Sequence, residues 1–165
     1  MNKNRILLLI VVLLLSVTGY YYFKNSDSTI KKELRDFAVA DTSSIDKIFL
    51  ADKKGNKALL ERKSPALWTI NGKYPARQDA INFLLKTIKQ IEVRSPVGKA
   101  ALQNVLKDLS STGTKIEIYS KGDKIKTYYV GGPTQDMLGT FMYLENSTVP
   151  FVMHIPGFND YLTTR

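Results

Sequence analysis

The chain contains no cysteine, one histidine and one tryptophan among its 165 residues. The missing cysteine excludes a disulfide framework, thiolate metal sites, a cysteine nucleophile and a lipidated cysteine. One histidine without a cysteine or a second histidine leaves a zinc site short of ligands. In Phe151-Val152-Met153-His154-Ile155 that histidine falls opposite the apolar positions, with no carboxylate at a motif-like spacing, and reads as a structural or surface residue.

Other catalytic signatures are missing as well. Asp41, Asp46 and Asp52 are spread over a turn and two strand ends, where polar turn chemistry accounts for them. Ser110-Ser111-Thr112-Gly113 reads as a helix end and lacks the Gly-x-Ser-x-Gly turn of a nucleophile elbow. Gly131-Gly132-Pro133-Thr134 lacks the Lys-Ser/Thr ending of a phosphate loop and reads as a strand-breaking turn. No catalytic residue, metal ligand or cofactor is assigned, and the expectation is a protein that is not an enzyme.

What is present begins at the N-terminus. A basic tail, residues 1–5, precedes an uncharged 18-residue run from Ile6 to Phe23. As a helix this run spans about 27 Å, close to the hydrocarbon thickness of a bilayer. Tyr20, Tyr21, Tyr22 and Phe23 close it as an aromatic belt would. A retained transmembrane anchor is expected, with a cleaved signal peptide as the competing reading because Ser16-Val17-Thr18-Gly19 offers small residues at a plausible cut. Lys24, Lys31, Lys32 and Arg35 after the run oppose export by charge count, while the short basic tail before it is the layout of an export signal. The expected arrangement is one pass, with the domain outside the cytoplasm.

Residues 24–36 read as a tether and 37–165 as one α+β domain. Residues 30–39 are expected to include a connecting strand. Strands are predicted over 45–51, 57–63 and 67–70, the last ending in the turn pair Asn71-Gly72. Ile81, Leu84, Leu85, Ile88 and Ile91 recur at helical spacing, which predicts a helix over 76–91 opened by Pro75. Leu102, Val105, Leu106 and Leu109 predict a second helix over 99–110, and Leu85 and Leu106 are expected to be buried. Strands return over 115–120, 124–130, 139–144 and 151–155. The 47–55 segment weakly repeats at 115–122, which suggests two hairpin units in one antiparallel sheet with both helices on one face.

The net charge of +9 reads as a lysine-rich soluble surface with acidic residues interspersed. Tyr119, Tyr128 and Tyr129, beside Lys124 and Lys126, form the tentative interaction surface, because aromatics with basic neighbours stack sugars and attract anions. Anionic glycan is the ligand this suggests, and no nucleic acid is expected.

Five segments carry a family likeness: Lys47-Ile48-Phe49-Leu50-Ala51-Asp52, Trp68-Thr69-Ile70-Asn71-Gly72, Ala76-Arg77-Gln78-Asp79-Ala80-Ile81, Tyr129-Val130-Gly131-Gly132-Pro133-Thr134 and His154-Ile155-Pro156-Gly157-Phe158. In this order they resemble the bacterial domain of unknown function 4340 over residues 37–165. The resemblance implies a single-anchor protein of the inner membrane with its domain in the periplasm. Some members are related to auxiliary parts of gliding-type ABC transport systems, so an envelope or membrane protein partner is implied. It supplies no catalytic residues. Members are often considerably longer, so the chain is expected to correspond to the N-terminal half of such a protein.

Overall fold

The computed structural model describes residues 11–18, 20 and 36–162. Residues 11–18 are helical and their apolar side chains are exposed, Leu13 and Leu15 most of all. Ser16 and Thr18 donate their hydroxyls to the carbonyls of Val12 and Leu14, so neither side chain leaves an unmet donor on that apolar surface. Tyr20 is also helical and exposed, while the rest of the expected 6–23 span lies outside the described residues, as do the 1–5 tail and all of the tether except Asp36. No helix among the described residues is long and apolar enough to cross a membrane.

Leu34–Arg165 is a compact unit by itself, distinct from Met1–Glu33. A 3-10 turn, Thr42–Ser44, leads into β1 (Ile45–Ala51), β2 (Lys57–Ser64), β3 (Leu67–Ile70) and β4 (Tyr74–Pro75). Helix α1 (Gln78–Gln90), β5 (Glu92–Pro96) and α2 (Lys99–Thr112) follow. The chain then forms β6 (Thr114–Ser120), β7 (Asp123–Pro133), β8 (Thr140–Leu144) and β9 (Phe151–His154). All nine strands join one antiparallel sheet in the order β4-β3-β2-β1-β6-β7-β8-β9-β5. Both edge strands are short and carry a proline, Pro75 and Pro96, which blunts pairing with another chain.

Two meanders, β4-β3-β2-β1 and β6-β7-β8-β9, are joined at β1 and β6, and β5 is added at the edge beside β9. In that central pair Lys47 faces Tyr119, Phe49 faces Glu117 and Ala51 faces Lys115. Repeat-equivalent positions, Lys47 with Lys115 and Ala51 with Tyr119, therefore exchange across a local two-fold centred on Phe49 and Glu117. The weak repeat in the sequence corresponds to this symmetry.

Alternation assigns the two faces. Ile48, Ile118, Tyr128, Met142, Phe151 and Met153 share one face and are each 3% exposed or less. Phe37 covers them, 6.0 Å from the Tyr128 ring and 5.8 Å, edge-on, from Phe151. Two residues on, the Val39 N–H donates to the Ile88 carbonyl at 3.1 Å, which ties this segment to α1. On α2, Val105 and Leu109 join Val97 against Tyr129, Phe141, Tyr143 and Val152, the alternate residues of the same strands. The helices thus lie on opposite faces, not on one. A local sequence pattern gives each helix an apolar stripe but does not say which side of the sheet receives it.

Several boundaries also differ from expectation. Pro75 pairs with Thr69 in β4, and the Ala76 N–H donates to the Trp68 carbonyl, so the sheet holds the chain and α1 starts only at Gln78. Residues 36–40 form no strand, although Phe37 and Val39 are buried. Leu85 is only half-buried and Leu106 is 36% exposed, because α2 presents Leu102, Val105 and Leu109 to the sheet and Leu106 lies on the flank of that stripe. The glycine pair at 131–132 does not break β7. It absorbs a register shift between Val130 and Pro133, and a Cβ at Gly131 would lie 2.9 Å from Leu109 Cδ2.

Gly113, just after α2, has an ordinary φ of −64°. Its requirement is space: an added Cβ would collide with the Leu109 carbonyl oxygen, which is backbone and cannot yield cheaply. Gly113→Ala should therefore destabilise the domain by about 1–3 kcal/mol, the usual scale of overpacking. Urea unfolding followed by the fluorescence of Trp68, the sole tryptophan, measures this. A change within about 0.5 kcal/mol, the scale of surface substitutions, would show that the helix end relaxes freely.

Candidate functional site

The face opposite the main core is unevenly covered. α2 packs over β7 and β8, and among the described residues no helix packs over this face of β2, β1 and β6. Phe49 sits at the middle, with Leu59 across from it on β2 and Glu117 across on β6. Phe49, Leu59 and Tyr119 are all half-buried, and Lys47, Glu61 and Lys115 stand beside them in register.

Glu117 organises the charges. Its carboxylate accepts from Lys115 Nζ at 2.7 Å and from the Tyr119 hydroxyl at 2.8 Å, with Lys124 Nζ at 3.8 Å. Lys124 also reaches Glu145 at 3.8 Å, and Lys47 Nζ lies 4.0 Å above the Tyr119 ring. The Lys115 hydrogen bond, then the Tyr119 hydroxyl and the nearby lysine charges, hold Glu117 below the usual carboxylate range against the opposing effect of burial. A group depressed in the folded state stabilises above its unfolded pKa, and that contribution disappears as pH falls through the folded value. The stability gap between wild type and Glu117→Gln should thus be widest above about pH 5 and close at lower pH, since free glutamate titrates near pH 4.3. Parallel denaturant titrations from neutral to acid pH measure it; a gap independent of pH would mean that the network contributes nothing.

The five residues of the expected interaction surface do not share one face. Tyr119 and Lys124 lie on the open area, and Tyr129 lies on the same face but under α2, 6.4 Å from the Tyr143 ring. Tyr128 is 3% exposed in the main core, where burial pushes its hydroxyl far above the usual tyrosine range. Lys126 points the same way and donates to the Asp36 carbonyl and carboxylate at 2.6 and 2.8 Å. Tyr128 and Lys126 therefore serve the fold and leave the candidate surface. The cause is a bulge: Ile118 pairs with Lys126 but Tyr119 pairs with Lys124, so the alternation slips by one residue. The lysines at 124 and 126 share a face by counting and not in the sheet.

A second concave region was not legible in the sequence. A groove of about 780 Å³ runs between α2, β5 and the Pro133–Asp136 loop, floored by Val105, Phe141 and Val152. A bulge between Val93 and Ser95 brings both Arg94 and Ser95 to its wall. Arg94 Nη1 lies 3.3 Å from the Leu138 carbonyl and 3.5 Å from Asp136. The Thr134 hydroxyl, the Leu138 N–H and Arg94 in turn hold Asp136 below the usual carboxylate range. These contacts fasten the loop; they pair no base with a nucleophile.

The remaining polar residues have local roles. Asp52 accepts from Lys54 N–H and from the Asn56 N–H and side chain, and Asp41 accepts from Ser43 N–H, as turn-forming aspartates do. His154 ends β9 opposite Glu92 on the edge strand. Trp68 Nε1 and Arg62 Nε are buried without a hydrogen-bond partner, but both atoms are sealed from solvent, so they are a cost to the fold and not a ligand contact. Among the described residues no three His, Asp or Glu side chains converge as a metal site.

The five segments that resemble domain 4340 fall on β1, on β3 with its Asn-Gly turn, on the start of α1, on the glycine bulge of β7 and on the chain after β9. Asn71 and Gly72 both have positive φ, 51° and 67°, as that turn needs. Comparison with known protein families, with curated proteins and with solved structures found no match.

Proposed function

We propose that this chain is a non-enzymatic module of the bacterial cell envelope that binds another protein and helps to assemble a membrane complex. The observation that carries the reading is the open face of β2, β1 and β6. Its centre is Phe49, Leu59 and Tyr119 with the paired Glu117 among them, and Lys47, Glu61, Lys115 and Lys124 surround it. An aromatic and aliphatic centre inside a charged rim is the usual anatomy of a protein interface. The uncharged 6–23 run supports an anchor in the inner membrane, with residues 24–165 on the periplasmic side. Alkaline carbonate should leave the protein with the membrane pellet, whereas a released fragment starting near Tyr20 would identify a cleaved signal.

Anionic glycan bound through the Lys- and Tyr-bearing strands is the second reading. Lys115 and Lys124 are already engaged by Glu117, which leaves less free positive charge on this face for a polyanion. The two readings separate experimentally. A pull-down of the full chain from detergent extract should retain a defined membrane protein, and Phe49→Asp should cut that retention about 30-fold or more, the effect of losing one interface hot spot. Bait recovered alone, or retention unchanged by Phe49→Asp, would contradict the protein-binding reading. Capture of anionic glycan that falls steeply with salt would favour the second.

A further inference from the structure

A different surface suggests how the domain lies at the membrane. Helix α1 buries Ile81 and Ile88 and turns Phe83 outward, 66% exposed, with Lys86 beside it one turn on and Lys89 exposed further round the helix. Facing it is the segment after β9, where Gly157 takes a φ of +77° and Phe158 is 45% exposed. Together they wall a groove of about 350 Å³ that also receives Ile155 and Tyr161. Its far wall is fixed: the Thr140 hydroxyl bonds both the carbonyl and the N–H of Leu162, at 2.9 and 2.8 Å.

The charge lining this groove is positive, although Asp160 stands in the same 155–162 segment beside Tyr161. Lys86 lines it and no Asp or Glu does. Neither Lys86 nor Lys89 has an ion-pair partner among the described residues, whereas Asp79, nearer the start of α1, is engaged by Arg77. Exposed phenylalanines flanked by unpaired lysines are what an anionic bilayer surface selects: the rings enter the headgroup boundary and the ammonium groups meet lipid phosphates.

We propose that the groove between α1 and the 155–162 segment, lined by Phe83, Phe158 and Lys86 and with Lys89 exposed nearby on α1, docks the domain onto the anionic bilayer surface that holds its anchor. The docking rests on the anchored reading above. It would leave the Phe49 face free, since neither Phe49 nor its neighbours line the groove.

The lack of native cysteine makes the test direct, because one engineered cysteine gives one label. The full chain is placed in nanodiscs of phosphatidylcholine alone or with phosphatidylglycerol, carrying a polarity-sensitive fluorophore at Asn159→Cys or, as a control, Lys53→Cys. The label at 159 should shift to the blue and resist aqueous quencher only in the anionic discs, and high salt should reverse this; the label at 53 should not respond. Lys86→Gln with Lys89→Gln should lower the docked-to-free ratio about 30-fold, from the contribution of each lysine near an anionic surface. Phe83→Ser should weaken docking without shifting the Trp68 emission that reports folding. A chain that enters the discs while label 159 stays in water in both lipids overturns the docking alone. A chain that does not enter the discs removes the anchor and the docking together. Protection that requires an added protein, not anionic lipid, also overturns it.

Discussion

Phe37→Ala should cost about 3–5 kcal/mol, the scale of emptying a buried aromatic site, although Phe37 lies in no helix or strand. The ring is 1% exposed and bridges Tyr128 on β7 and Phe151 on β9, strands that do not pair with one another. Tilted and edge-to-face ring pairs at these distances add to the area term. The same segment is fastened at Val39 by the Ile88 carbonyl and at Asp36 by Lys126. Phe37 is thus the plug through which the chain enters the domain. Domains of this size are stable by only about 5–15 kcal/mol, so the variant should unfold at much lower urea, read from Trp68 emission. A loss below about 1 kcal/mol, no more than a typical point mutation, would mean that residues 36–40 are not part of the core.

The second large effect separates two leucines three residues apart. Leu109 is 5% exposed between Val97, Val105 and the Tyr129–Tyr143 side of the sheet, and it also lies against Gly131. Leu109→Ala should cost about 2–5 kcal/mol. Leu106, 36% exposed, should cost far less, within about 1 kcal/mol. From the sequence pattern the two are equivalent. Equal losses would mean that α2 is rotated from the position described above.

That pair illustrates what the residues reveal and where they stop. Hairpins announced themselves because alternation and turn chemistry are local: Asp52 closes its own turn, and Asn71-Gly72 supplies two positive φ angles. Both helices were visible from their apolar repeats. Strand β5 was not, since Glu-Val-Arg-Ser-Pro is polar, bulged at Arg94 and pairs only along one side. The face on which each helix lands depends on Phe37, Val39 and Val97, which come from outside the helices. At the candidate surface Tyr119 and Lys124 lie on the open face, but one bulge turns Tyr128 and Lys126 to the other side, and nothing in the sequence singled out Phe49. Phe49 is left half-buried because α2 covers only part of the sheet, a fact of assembly that no local spacing encodes.

The central claim is that the face around Phe49 meets another protein, and the most direct measurement is site-specific photo-crosslinking in intact cells. A photoreactive amino acid replaces Phe49 or Tyr119 in the full chain, with Lys107 on the exposed side of α2 as the control. The account predicts one discrete heavier species from positions 49 and 119 that contains a membrane protein, and none from 107. No adduct from 49 or 119, or the same adduct from all three positions, would contradict it.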